Sequence, residues 1–441
     1  MTKLTIIGAG SAVFTKNIVA DLLSLDSFKN IEIALQDIDE KRLKASHDLL
    51  TVISQKLNAN PKITSHTNRR ESLAGSDFVQ TTIQVGGYKP STLIDFEIPK
   101  KFGLQQTIAD TLGIGGIMRG LRTIPVLLDI AKDIIEICPK AIWLQYVNPM
   151  CANMIAINKS FPEIKTLGLC HSVQGTAEML AEDLGENIQD IDYLCVGINH
   201  MAFYQKFEKK ITDNQSEDLY PKLKIIEEKG DWMAKWHELA LGRILYRRFG
   251  QWPSPASNHY GEYIRWADEF VIPQLQFFYD PFDGHPWENN QIPEGVYTVD
   301  KVNYNRQWEK KWNEKLLPVG STEELKLQNE DGSFKNSGEI ATLIMESIIF
   351  NNKKWLEAVN IPNNGLIPNL PNDLVVELPA YSDVNGIHGI KMNPIPEAIA
   401  ATIRLHASIH KLLVEAFDEK SKDKLLQAIL IEPTVNSYRN A

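Results

Sequence analysis

The segment KLTIIGAGS, residues 3 to 11, constrains the fold more than any other. A short apolar strand runs into a turn holding two glycines, and Ile18, Val19, Leu22 and Leu23 then repeat at helical spacing. A second strand, IEIALQDID, ends in acids, and a third apolar run, DFVQTTIQVGG, closes on two glycines. The runs AIWLQYVNP, TLGLCHSV and YLCVGINHMAF alternate with helical stretches such as TIPVLLDIAKDIIEI. Alternation of this kind implies an α/β fold: a Rossmann-like, doubly wound parallel sheet of the lactate and malate dehydrogenase type.

Past residue 205 the texture changes to charged helical stretches carrying many aromatics, and PFDGHPWENNQIPEG is rich in turn residues. A boundary falls between 195 and 205, giving a dinucleotide-binding domain over 1–198 and a mixed α+β domain over 199–441 for catalysis and oligomerisation. Within the second, residues 337–358 read as one long helix, NNGLIPNLPNDLVVELPAYS as extended chain, and 395 to the end as helices.

In the first turn, Gly8 and Gly10 lack side chains that would keep a pyrophosphate from the backbone, and Ser11 opens the helix whose N-terminus faces it. The third glycine of the usual fingerprint is replaced by Val13. Asp37, at the tip of the second strand, is placed to accept from ribose hydroxyls and favours NAD over its phosphorylated relative. A plain tight turn and a solvated acid are the alternative.

Ligands of open parallel sheets sit outside the carboxyl ends of the strands. Three such ends carry polar groups: Asn148; Cys170 with His171; and Asn199 with His200. If these strands are parallel neighbours, the groups converge on one crevice beside the glycine turn. Cys170 and His200 would then hold a divalent transition ion with positions left open for substrate oxygens. The plainer reading makes Cys170 a small buried apolar residue and His200 a hydrogen-bonded core residue.

Two further stretches draw attention. ADTLGIGGIMRGLRTIP places Asp110, Arg119 and Arg122 on or beside a flexible glycine-rich loop of the kind that covers ligands, although Arg122 serves equally well as a helix-surface residue paired with an acid. SNHYGEYIRW puts a histidine, two tyrosines and a glutamate within five positions. A tyrosine there acts as a base only if a metal or arginine lowers its pKa far below about 10.

The formal charge of -10 argues against nucleic acid or an anionic membrane as partner and leaves a small molecule. Cys138, Cys151, Cys170 and Cys195 show no CxxC pair or regular spacing, which fits a reducing cytoplasm rather than a disulfide framework. The N-terminus lacks a signal-peptide pattern, and no apolar run reaches the ~18 residues of a membrane span.

Taken together, TIIGAGSAVFTKNI, IALQDID, QVGGY, TIADTLGIGGIMRGLRTIP, YVNPM, GLCHSVQGTAEML, GINHMAFY and NLPNDLVVELP resemble glycoside hydrolase family 4 over nearly the whole chain. Within that family the sequence is most similar to the α-galactosidases. Phosphosugar-cleaving members carry an acid or asparagine directly after the cysteine. His171 at that place points to a sugar without phosphate.

The resemblance implies a glycosidase that uses NAD and a divalent metal, typically manganese, in place of a carboxylate pair. Hydride passes from sugar C3 to NAD, the ketone acidifies the C2 proton, and a base removes it. The aglycone then leaves from C1 as a general acid protonates its oxygen; water adds and the hydride returns. By the same resemblance, Cys170 and His200 hold the metal, Asn148 and Arg119 meet substrate, Tyr263 is the base with Tyr260 second, and Asp110 or His171 is the acid. The related α-galactosidases carry an acid before the histidine of the tyrosine segment and a proline after the tyrosine, where this chain has Asn258 and Ile264.

A metal-binding thiolate would make activity sensitive to oxidation. A homodimer or homotetramer is the expected assembly. Sister specificities, α-glucosidase or α-galacturonidase, stay open, the second because Arg119 could pair a uronate. So does a net NAD-dependent hydroxy-acid dehydrogenase, which would accumulate NADH.

Overall fold

The computed structural model describes residues 1–104, 106–212, 214–228, 240–255, 257–267, 334 and 336–441. The PFDGHPWENNQIPEG segment lies outside them. One mixed sheet runs through the molecule. Its strands are β1 (Lys3–Ile7), β2 (Glu32–Gln36), β3 (Lys62–His66), β4 (Phe78–Thr81), β5 (Ile142–Gln145), β6 (Thr166–Gly168) and β7 (Ile191–Ile198). There follow β8 (Met201–Thr212), β9 (Gln215–Asp218), β10 (Pro253–Ser254), β11 (Lys354–Pro362), β12 (Val375–Asp383) and β13 (Gly386–Gly389).

The first six strands are parallel in the order β3-β2-β1-β4-β5-β6, the dinucleotide-binding order, as the alternation of segments implies. Because side chains alternate across a strand, consecutive core residues face opposite layers. Leu4, Ile6, Phe78 and Leu144 join the Ala12–Ser24, Glu40–Lys56 and Ala341–Phe350 helices in one apolar layer. Ile7, Val79 and Trp143 join the Gly113–Ile137, Met150–Ser160 and Glu397–Glu419 helices in the other. The sheet is therefore covered on both faces. Among the described residues no helix is long and apolar enough to cross a membrane.

Three local readings are corrected. The helix expected over 337–358 spans only Ala341–Phe350; Asn351 then takes φ 51°, and Lys354 begins β11. Asparagine tolerates that left-handed conformation, which ends the helix. Next, NNGLIPNLPNDL is mostly turns, and extended chain starts at Val375.

Finally, β7 is not a parallel neighbour of β6. β11 and β12 lie between them, and β7 pairs antiparallel with β12. Convergence is nonetheless kept, because Gly168, Asn360, Glu377 and Gly197 face one another in a single row across the four strands. That row brings the end of β7 level with the end of β6.

Candidate active site

The glycine turn is built as dinucleotide binding requires. Gly8 has φ +83°, and a Cβ there would lie 2.4 Å from the Thr82 carbonyl oxygen. A Cβ on Gly10 would meet Asp37 Oδ2 at 2.7 Å. Gly10 N–H donates to that same oxygen at 2.7 Å, and Asp39 N–H donates to Asp37 Oδ1 at 2.9 Å, so Asp37 stands half-buried against the turn. Ser11 is the N-cap of the Ala12–Ser24 helix, and its hydroxyl makes no capping bond. The first-turn N–H groups thus open toward the crevice as an anion site. Phe14 lies 5.2 Å from Tyr146 and 6.1 Å from His171, ring centre to ring centre, which joins this turn to the ends of β5 and β6.

Beyond those rings, Cys170 Sγ lies 3.6 Å from His200 Nε2. With bonds of about 2.3 Å to sulfur and about 2.05 Å to imidazole nitrogen, that separation closes on a zinc-sized ion at an angle of about 110°. The thiol and imidazole therefore fit one divalent ion. None of the four cysteines is in a disulfide, and Cys138, Cys151 and Cys195 are buried while Cys170 is half-buried. Burial pushes the Cys138 thiol up to about 11 and raises Cys151 and Cys195 as well, so those three stay inert apolar residues.

His200 sits in the tight turn between β7 and β8 with φ +67°, a conformation that costs a residue with a Cβ about 1–2 kcal/mol. A buried network holds this turn: Glu377 Oε1 accepts from the side-chain amides of Asn199 and Asn360, both at 3.0 Å. On the other side of the imidazole, Asp110 Oδ1 lies 3.6 Å from His200 Nδ1, and Asn148 Nδ2 reaches Asp110 Oδ2 at 3.4 Å. Burial pulls the His200 imidazole down, but the Asp110 charge and Cys170 outweigh it and lift it to about 10. Burial raises Asp110, and His200 more than reverses this, leaving the carboxyl well below its ordinary range. Asp110 therefore stabilises positive charge at His200, whether proton or metal. A carboxylate behind a metal-bound imidazole commonly plays this part.

His259 crosses His200 at 4.4 Å between ring centres, and burial with the His200 charge lowers it to about 3, which keeps it neutral. Ligand atoms of Asp110, His200 and His259 all lie within 4.8 Å of one another. The two tyrosines of this segment differ sharply. Tyr260 donates to the Ser254 and Ala202 carbonyls at 2.9 and 3.3 Å. Tyr263 is fully buried; the Leu112 backbone N–H faces its hydroxyl oxygen, but no contact there reaches full hydrogen-bond geometry among the described residues. Burial and the charges of Asp110 and Glu262 push that hydroxyl's pKa up, so a cation must be added before it can act as a base.

His171 points outward from the end of β6, with Glu339 Oε1 3.6 Å from its Nδ1. Burial pushes the Glu339 carboxyl up to about 7; partial loss of solvent and then the His200 charge lower His171, an effect that the 63% exposure of its side chain keeps small. Arg119 and Arg122 lie on the Gly113–Ile137 helix. Arg122 forms a two-pronged pair with Asp95, whose side chain is 1% exposed. Arg119 is half-buried within the field of Asp110 and Asp95.

The glycine-rich loop differs from the open cover expected of it. Gly113, Gly115 and Gly116 belong to the first turn of the helix, where a Cβ on Gly115 would lie 2.6 Å from Ala109 Cα. The glycines thus permit close packing. Glu262, to which no role was assigned from sequence, is fully buried and accepts from the Thr107, Ile108 and Ala109 N–H groups. Burial pushes its carboxyl up to about 8 against the pull of those bonds.

A dinucleotide-type sheet with a thiol and an imidazole in its crevice defines a class of nucleotide-fold enzymes whose added chemistry comes from that pair. Residues 3–186 match the description "Family 4 glycosyl hydrolase" and residues 195–435 its C-terminal domain. The chain belongs to glycosyl hydrolase family 4 and is a glycoside hydrolase.

It is 37% identical to an α-galactosidase of Bacillus subtilis over 433 residues, 98% of this chain and 93% of the relative. An α-galactosidase of Rhizobium meliloti is 31% identical, over 99% of this chain and 84% of its own length. A crystal structure of a 6-phospho-α-glucosidase from gut microorganisms, in complex with NAD and Mn2+, shares the fold at a TM-score of 0.77. It is 21% identical and covers 100% of this chain and 95% of that one.

Proposed function

We propose that this glycosidase is an α-galactosidase acting on terminal α-galactosides of the melibiose type, with NAD in the glycine turn and a divalent ion, Mn2+ by preference, on Cys170 and His200. The observation that carries this reading is the 3.6 Å approach of Cys170 to His200 at the head of the dinucleotide crevice. Similarity to two α-galactosidases over nearly the full chain supports the sugar. NAD and the ion supply reversible hydride acceptance at C3 and positive charge beside the C2 and C3 oxygens.

The chain's own groups then divide the work. Gly8, Gly10, Ser11 and Asp37 seat the dinucleotide. Asn148 and Arg119 bind sugar hydroxyls. Tyr263, whose hydroxyl donates to no acceptor among the described residues, takes the C2 proton. Asp110 and His171 are the candidates for the general acid: Asp110 is held ionised beside His200, and His171, itself lowered, acts as an acid only with a proton supplied by Glu339, whose carboxyl lies near neutrality 3.6 Å away.

Arg119 is the feature that keeps a uronate substrate in view, yet Asp110 and Asp95 already share its charge, which favours a neutral sugar. Assaying nitrophenyl α-galactoside, α-glucoside and α-galacturonide with NAD and Mn2+ tests the proposal. The α-galactoside should be hydrolysed fastest. Preference for either rival, or stoichiometric NADH from a hydroxy acid, would replace it.

A further inference from the structure

Glu262 stands next to the proposed base, yet its side chain serves another element. The Glu262 carboxylate accepts from three successive backbone N–H groups: Thr107 at 2.6 Å and Ile108 at 3.0 Å on Oε2, and Ala109 at 2.9 Å on Oε1 and 3.1 Å on Oε2. Three N–H groups pointing into one concavity form a cradle of the kind that takes anions, and here its occupant is a carboxyl of the chain itself.

The cradle has a consequence for its next residue. To aim its N–H at Glu262, Ala109 adopts φ +54°, a left-handed conformation that its Cβ disfavours. Asp110 follows directly, and that backbone direction sets its carboxylate before His200 Nδ1 and Asn148. The far side of the loop is closed by Gln106 Oε1, which accepts from Gly115 N–H at 2.8 Å, so Gln106 and Glu262 hold the backbone of the loop from two sides. Without a side-chain acceptor there, the buried Thr107 and Ala109 N–H groups and the half-buried Ile108 N–H lose their partner, and Ala109 loses its reason to stay left-handed.

We propose that Glu262 is a positioning residue that acts through Ala109 to hold Asp110 behind His200, and so sets the metal affinity of the Cys170–His200 pair. This rests on the metal reading given above and adds to it a link between the tyrosine segment and the ion.

The test is Mn2+ affinity of the NAD-loaded protein, read from the electron paramagnetic resonance of free Mn2+, with NAD+ affinity as control. Glu262→Leu, which removes the acceptor, and Asp110→Asn should each weaken Mn2+ binding about 10- to 100-fold, the usual effect of losing an outer partner of a metal ligand. The double variant should bind no more weakly than the weaker single one, because both changes break one chain of contacts. Glu262→Asp, which keeps a carboxyl on a shorter arm, should fall between wild type and Glu262→Leu and serves alone should the leucine variant not fold. NAD+ affinity should move less than about threefold, within the scatter expected for an uncoupled site. Unchanged Mn2+ affinity in the Glu262 variants, or a double loss equal to the product of the singles, would overturn the positioning role. Unchanged Mn2+ affinity in Cys170→Ser would instead remove the metal site beneath it.

Discussion

Replacing either tyrosine of the HYGEY segment by phenylalanine deletes one oxygen, and the structure assigns the two deletions opposite signs. Tyr263 buries a hydroxyl whose approach to the Leu112 N–H falls short of full hydrogen-bond geometry, and no other described residue partners it. A buried polar group left unbonded costs about 1–3 kcal/mol, so Tyr263→Phe should stabilise the ligand-free protein by about that amount. At about 2.1 cal/mol/K per residue, 441 residues unfold with an entropy of about 0.9 kcal/mol/K, and each kcal/mol moves Tm by about 1 °C. The expected gain is thus ~1–3 °C, while turnover should fall about 10²- to 10⁴-fold with the loss of a proton-transfer group.

Tyr260→Phe should behave in the reverse manner. It strips the Ser254 and Ala202 carbonyls of a donor, should lower Tm by about 1–2 °C, and should leave turnover within a few-fold of wild type. Scanning calorimetry on metal-free, sugar-free protein and a chromogenic galactoside assay on the loaded enzyme give both numbers. A Tyr263→Phe variant that melts below wild type, or that turns over normally, would refute the reasoning.

Other consequences follow from sites of different kinds. Gly10→Ala would set a Cβ 2.7 Å from Asp37 Oδ2 and Arg42 Cβ, so NAD+ affinity measured by fluorescence should drop about tenfold or more, the worth of one charge-assisted bond; unchanged affinity would dissociate the turn from the dinucleotide. Glu432, which follows the Lys422–Leu430 helix, has its carboxyl pushed up to about 7 by burial against the pull of its Thr434 bonds. Because the folded pKa is raised above the usual 4.5, its stabilisation is complete below pH ~4.5 and is lost as pH rises through ~7, on the order of 3 kcal/mol in all. Glu432→Gln should therefore flatten the fall in Tm between pH 5 and 8, and a wild-type pH profile in that variant would contradict the assignment. Arg122→Ala leaves the buried Asp95 carboxylate without its guanidinium and should cost about 3–5 kcal/mol in urea denaturation, with little change in turnover per folded molecule.

Five of the six parallel strands were legible because local pattern marks them: apolar runs that end in Gly, acids or other polar groups, with helical spacing between them; β3, KITSH, went unread because it is polar and lies half-exposed at the sheet edge. The C-terminal half was less legible. Trp355, Leu356 and Val359 continue the helical spacing of the preceding helix, and only the Asn351–Asn352 pair signalled its end. Cys170 and His200 were readable as polar groups closing apolar strands, although the reason they meet, the row from Gly168 to Gly197, runs through two strands inserted from much later in the chain.

Glu262 and Asp110 illustrate what local pattern does not carry. Their connection spans about 150 residues and passes through backbone N–H groups that have no sequence signature. Glu377 was signalled more plainly, as a lone acid inside the apolar run DLVVELP, and the structure uses it to hold Asn199 beneath His200. His259 was visible in its segment, but its edge-on contact with His200 depends on the tertiary fold.

The central claim is that the sugar is transiently oxidised so that its C2 proton can be removed, with NAD restored in every cycle. Hydrolysis of an α-galactoside in heavy water, followed by NMR of the released galactose, tests it most directly. The account predicts one deuterium at C2 and no net NADH. Galactose that keeps its original hydrogen at C2 would contradict it.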